Sequence, residues 1–282
     1  MKKVLVCLAV LALATAAVAQ EVPDVPPGED THSMAVRGWA KPGGGGANNI
    51  IYHTGGDVIR NAKVAYIFWG SFPAGYTTEL QNFRNLFGTT GEYNTITQYY
   101  GEDAVAGFGN IAQSVLGTNL NDWFDTSTPP TNVTDTAVRN KVIQYLGTHA
   151  FDNSTVYEVF IPSGSYSSSG TSTSCGGPNL AYCAYHGHFS WNGHDVKYSI
   201  EPFPSCSGCS VTGWTAAQNQ EHFVCHETRE AVTDPDLDAW FDRRGYEADD
   251  KCAWSPAPFI GTGGFGYQYE WSNADGGCVK TK

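Results

Sequence analysis

The chain is poor in charge and in long apolar stretches. Asp, Glu, Lys and Arg make up 16% of its 282 residues. Beyond the first fourteen positions no segment approaches twenty uninterrupted apolar residues, which argues against a membrane-spanning helix. Positive charge is the scarcer sign, with 16 Lys and Arg against 28 Asp and Glu and a net charge of −12. That balance excludes a basic face for nucleic acid or anionic lipid. No internal repeat is visible, and no Ser-His-Asp arrangement can be assigned from spacing. The four glycines at 43–46 sit in a linker, and those at 261–266 lack a following helix, so neither stretch reads as a phosphate-binding loop.

The N-terminus has a definite pattern. Lys2 and Lys3 precede an apolar run over 4–14, and Ala17-Val18-Ala19 stands before Gln20. These are the parts of a secretory signal peptide, too short and wrongly flanked to cross a bilayer. The expectation is a secreted, extracellular monomer, more acidic still once Lys2 and Lys3 are removed. Residues 1–19 read as signal, 20–49 as a flexible leader rich in Pro and Gly, and 50–282 as one globular domain. Asn132-Val-Thr and Asn153-Ser-Thr are glycosylation acceptors in a suitable host.

Of eight cysteines, Cys7 lies in the signal, which leaves an odd number for the mature chain. In an exported protein the others read as disulfides. Proximity pairs Cys175 with Cys183, Cys206 with Cys209 and Cys252 with Cys278. Cys225, behind Phe223 and Val224, reads as a buried thiol. The Cys206-Ser-Gly-Cys209 spacing also suits a redox pair or half a zinc site, but no second pair completes the latter.

Apolar runs at 64–69 and 156–161 predict buried strands, and helical spacing predicts helices over 77–87 and 134–146. The Ser/Gly/Thr-rich stretch 163–174 reads as a loop. Segments 182–191 and 196–200, joined through Asn192-Gly193, predict a hairpin. A helix follows from about Thr215 to Pro235, and a last strand spans 267–271. The order implies an α+β domain, with a mixed sheet backing a metal-site helix in a zincin-like plan and disulfides stabilising it.

That helix carries the chemistry. His226-Glu227-Thr-Arg-Glu230 is an HExxE motif. Residues four apart share a helix face, so His226 and Glu230 can grip one ion while Glu227 projects about 100° away. In HExxH metalloproteases the intervening glutamate deprotonates the attacking water. Downstream, Glu247 is read as the third ligand and Asp250 as the residue that orients His226 through its other ring nitrogen. Asp234, Asp236 and His222 are competing positions. Two carboxylates with one imidazole make a harder site than two histidines with one carboxylate, so zinc is expected, with manganese or calcium tolerated. His186, His188 and His194 form a second cluster, from which a histidine, or Tyr185 or Tyr198, could stabilise an oxyanion. The alternative for the helix is an exposed salt-bridge face with Arg229 paired to a neighbour and His226 solvated.

The ordered motifs resemble the secreted EXORDIUM/phosphate-induced protein family. They are Ile51-Tyr-His-Thr-Gly-Gly56, the apolar strand ending Trp69-Gly70, Cys183-Ala-Tyr-His-Gly187, Cys206-Ser-Gly-Cys209, His226-Glu227 with Glu230 and Thr233-Asp-Pro235, then Glu247, Asp250, Cys252 and Cys278. The resemblance implies an extracellular protein linked in plants to growth and nutrient responses, without an established reaction. This chain departs from the plant type in its long leader and in Arg229. Three expectations follow. The first is a metal-dependent hydrolase acting on peptides, with Glu227 as general base. The second is a non-catalytic binding or signalling module in which a cation or a salt-bridge network ties the helix to the 247–252 segment. The third is a cell-wall carbohydrate binder using Trp191, Trp214, Trp240 and Trp254.

Overall fold

Strands that are apolar along their whole length are covered on both faces. Lys63–Trp69 (β2) and Thr155–Ile161 (β4) are of this kind, and beyond Lys63 every residue in both is buried. In the computed structural model, which describes residues 31–38, 48–118 and 121–282, they lie side by side in parallel. The 1–19 signal reading and most of the 20–49 leader fall outside the described residues. Four further strands complete a six-stranded sheet: Thr31–Ala35 (β1), Trp123–Asp125 (β3), Tyr182–Trp191 (β5) and His194–Pro202 (β6). Its order is β1-β5-β6-β4-β2-β3. β6, β4, β2 and β3 run parallel, whereas β5 and β1 are antiparallel additions, so the sheet is mixed. Asn192 and Gly193, at φ 50° and 79°, make the left-handed turn between β5 and β6.

Four α-helices are present among the described residues: Tyr76–Phe87 (α1), Gly91–Asn94 (α2), Asp135–Leu146 (α3) and Ala216–Thr233 (α4). Thr134 caps α3 by accepting the Ala137 N–H. Thr215 and Gln218 form a reciprocal capping box on α4. α1 and α4 pack on one sheet face, where Leu80, Phe83 and Val224 meet Val64, Tyr66, Phe68 and Phe160. α3 packs on the other, with Val138, Val142 and Leu146 against Ile67, Val159 and Tyr198. The result is a mixed α/β structure around a β-sheet core, and among the described residues no helix is long and apolar enough to cross a membrane.

α4 departs from the usual one-sided helix, since every residue from 219 to 233 is buried. Buried charge must be paired. Arg229, with no exposed surface, forms ion pairs with Asp249 and Glu270 and donates to the Glu92 carbonyl. His226 is equally enclosed. An exposed salt-bridge face is therefore excluded.

Several expectations need correction. Thr31–Ala35, assigned to the leader, is the edge strand of the sheet, paired with β5 from Thr31 opposite Gly187 to Met34 opposite Ala184. Averaging composition over a Pro/Gly-rich window hid a five-residue alternation. Within 163–174, Tyr166–Ser169 and Ser172–Thr173 pair as short strands, and the first also joins Asn132–Thr134. The last strand is divided into Gly266–Tyr267 and Glu270–Ser272. Cys252–Cys278 forms as expected, but the other bonds are Cys175–Cys206 and Cys183–Cys209. The Ser207–Cys209 turn lies beside the 175–183 segment, so each cysteine of the CxxC finds a partner there rather than its sequence neighbour. Cys225 is the free, buried thiol. Trp240 is buried and Trp191, Trp214 and Trp254 are half-buried, so none of these four presents an exposed ring for sugar stacking. Asn132 and Asn153 are exposed.

Candidate metal centre

Strand register places polar side chains beneath α4. His32 of β1 lies opposite His186 of β5, His186 opposite Ser199 of β6, Ser199 opposite Glu158 of β4, and Glu158 opposite Tyr66 of β2. Opposed residues share a sheet face. A row of five polar groups thus crosses this face, joined by the buried Glu201, which accepts from Ser199 and from Gln220 of α4. At its β1 end it meets His226, Glu227 and Glu230. The 247–250 segment returns alongside, held by the pairing of Asp249 with Arg229.

Glu230 is central. Its Oε2 lies 2.9 Å from His226 Nε2 and 4.0 Å from His186 Nδ1, and its Oε1 accepts the Asp250 N–H at 2.8 Å. Glu247 Oε2 is 3.7 Å from His186 Nε2 and 3.8 Å from His32 Nε2. Three sets of donor atoms each lie within 4.8 Å of one another, and Glu230 belongs to all: with His32 and Glu247, with His186 and Glu227, and with His226 and Asp250. His186, His226, Glu227 and Glu230 have no exposed surface, and only the His32 side chain, 22% exposed, reaches solvent.

The histidine tautomers follow from the hydrogen bonds. Gln268 Nε2 donates to the Asp249 carbonyl at 2.9 Å and to Asp249 Oδ1 at 2.7 Å. Both are acceptors, so the amide cannot be reversed and its Oε1 must accept. It lies 3.1 Å from His226 Nδ1 and 3.0 Å from His222 Nε2. Both nitrogens therefore carry protons, and Nε2 is the His226 atom that faces Glu230. At 2.9 Å the contact needs one positive charge, either a proton on Nε2 or a shared metal cation. Burial lowers the His226 pKa, but the Glu230 carboxylate outweighs it and holds the ring up at about 9. Burial keeps His186 neutral, lowered to about 3. Its Nδ1 donates to Glu227 Oε2 at 3.0 Å, which turns Nε2, without a hydrogen-bond partner, toward Glu247. Burial, then the Glu230 charge, pushes Glu227 and Glu247 well above the carboxylate range. Acids crowded in this way are relieved by positive charge. Imidazole and carboxylate donors with fixed tautomers fit a divalent cation such as zinc or manganese.

His226, Glu227, Glu230 and Glu247 all border this cluster, each in a close set with Glu230, but His226 and Glu247 share no set. Asp250 is nearby but in another role. Its Oδ2 is 2.6 Å from His32 Nε2, and Gln268 takes the orienting position on His226 that was assigned to Asp250. Asp236 pairs with Lys197 on the far side of the helix end, next to His188 and Asp195. Asp234 accepts the Ala239 N–H at 2.6 Å and adjoins Glu247. His222 is a hydrogen-bond neighbour through Gln268. Tyr185 and Tyr198 donate to Asp135 on the α3 side of the sheet, so neither reaches this site, and His194 stacks on Phe151. His32 and Gln268 had no motif to mark them. The period-2 spacing of His32 and Met34 was the only available signal for the first, and an uncharged amide gives none.

Comparison of the chain with protein-family models, with curated proteins and with solved structures returns no match.

Proposed function

We propose that this protein is a secreted, metal-dependent hydrolase of zincin-like plan acting on peptide bonds, with His226, Glu230 and Glu247 holding a divalent cation. The observation that carries the reading is the buried cluster in which Glu230 is shared by three close donor sets, one with His226 and Asp250, one with His186 and Glu227, and one with His32 and Glu247. Support comes also from the arrangement of α4 on a sheet face beside an edge strand. A cation there supplies Lewis acidity and lowers the pKa of a water. Glu227 Oε2 is held by His186, while Oε1 has no hydrogen-bond partner and is placed to take a proton. In peptide hydrolysis that proton comes from the water that adds to the acyl carbon, and it passes to the amine as the C–N bond breaks.

The second reading is the non-catalytic module, of the kind the EXORDIUM resemblance implies. Enclosure favours it, because structural metal sites are closed whereas catalytic ones keep an open position. One set of measurements separates the two. Purified protein should hold about one equivalent of metal, and Glu227→Gln should retain the metal while losing peptide hydrolysis by about 100-fold or more. Bound metal without turnover on a peptide library, together with a melting temperature that falls on chelation, gives the second reading. No bound metal removes the first and leaves the second with the Arg229–Asp249 pair as the tie.

A further inference from the structure

We infer that the cation is also a clasp for the N-terminal strand: His32 is one of its ligands, and cation binding fastens β1 over the site. This rests on the metal-centre reading above and adds to it a ligand from the opposite side of the cavity. Four observations carry it. His32 Nε2 is 3.8 Å from Glu247 Oε2, and His186 Nε2 is 3.7 Å from the same oxygen. Ligands sharing one ion through bonds of about 2.0–2.2 Å stand roughly 3–4.4 Å apart. His32, Glu230 and Glu247 form one of the mutually close sets. The cavity wall opposite α4 is unpartnered imidazole, since His186 Nε2 is fully buried and without a hydrogen bond. Finally, β1 reaches the site through the Met34 backbone to Glu227 and through His32 Nε2, whose 2.6 Å contact with Asp250 Oδ2 is exchanged for the cation on binding.

The consequence is mechanical. Among the described residues β1 has a sheet neighbour on one side only, β5. An edge strand of five residues is the part of a sheet that opens most readily. With His32 on the cation, lifting β1 breaks a coordination bond as well as the ladder. While β1 is down, the donor atoms stay enclosed. Occupancy of the centre and access to it are then opposed, and a hydrolase built this way is latent until β1 is displaced.

The test uses the full secreted chain and zinc. Hydrogen exchange of the amides of Thr31–Ala35 is compared with zinc bound and after chelation, and zinc affinity is measured for the parent and for His32→Ala. Exchange across β1 should rise at least about tenfold on chelation in the parent. His32→Ala should weaken zinc by more than about 100-fold, beyond the about 10–100-fold typical of a residue that only supports a ligand. A loss of about 100-fold or less, or β1 exchange in the parent that is indifferent to zinc, overturns the inference. The exchange comparison needs no variant, so a misfolded His32→Ala leaves it decisive. A parent that binds no zinc fails the metal-centre reading instead, which keeps the two failures apart.

Discussion

Glu158 shows what one buried acid does to the stability of the whole chain. It has no exposed surface, and burial pushes its pKa from 4.5 up to about 8 despite the Thr228 hydroxyl donated to Oε1 at 2.6 Å. The native state therefore holds a proton that the unfolded chain releases above about pH 4.5. Its contribution is fully present below that pH and is lost as pH rises through about 8. Glu158→Gln keeps the acceptor for Thr228 and cannot ionise. Melting curves across pH 5–8.5 should show parent and variant converging at pH 5, with the variant higher by several degrees at pH 8.5, since a chain of this size shifts by about 2–4 °C per kcal/mol. A variant that melts lower at pH 8.5 would mean that burial does not raise the native pKa of Glu158 above its unfolded value. At this scale the sequence was legible where residues obey a period. His226 and Glu230 are one helical turn apart, and Glu247 belongs to the Glu247-Ala-Asp-Asp250 carboxylate cluster that follows the Pro-terminated turn. Gln268 was illegible because its role comes from direction: the Asp249 oxygens fix which end of the amide faces His226.

Among elements, α4 decides most. Its composition reads as a surface helix, yet it is enclosed from 219 onward because its charged groups meet partners from segments remote in sequence. Arg229 is the main example, spanning Asp249 and Glu270. Removing one partner of a buried pair strands the others and costs about 3–5 kcal/mol. Arg229→Met should accordingly lower the denaturation midpoint by that amount and detach the 247–250 segment, with weaker metal binding as a second sign. Adding Asp249→Asn should recover part of the stability. If the single variant unfolds like the parent, the pairs contribute nothing and another contact positions the segment. Strand and helix positions were largely readable, since β2, β4, α1, α3 and the β5–β6 hairpin each carry their period or their turn residues. β1 was not, because five residues are fewer than a composition average can resolve, and its pairing partner lies about 150 positions away by the register with β5.

For the whole molecule, the disulfides frame the site without entering it. Cys175–Cys206 and Cys183–Cys209 tie the start of β5 to the turn after β6, and Cys252–Cys278 holds the chain two residues beyond Asp250. Closing a loop with a sequence separation of 26 is worth about 3–4 kcal/mol on chain-entropy grounds. A Cys252→Ala/Cys278→Ala double variant should lose that stability and bind metal less tightly, whereas reduction of the other two bonds should act on β5 first. Equal loss of metal on breaking any bond would show that the frame acts only globally. Burial pushes the Cys225 thiol up to about 12, so it stays out of exchange with these bonds while the fold is intact.

The two-residue repeat of the edge strand carries a last consequence. Thr31 and Ser33 point away from the imidazole, and His32 and Met34 toward it, so a single inserted or deleted residue ahead of Met34 would hand the cavity a hydroxyl in place of a ring. In natural variants of this chain, the spacing between that histidine and the first cysteine-bearing strand should tolerate loop changes of any length, but the parity within the strand itself should not drift.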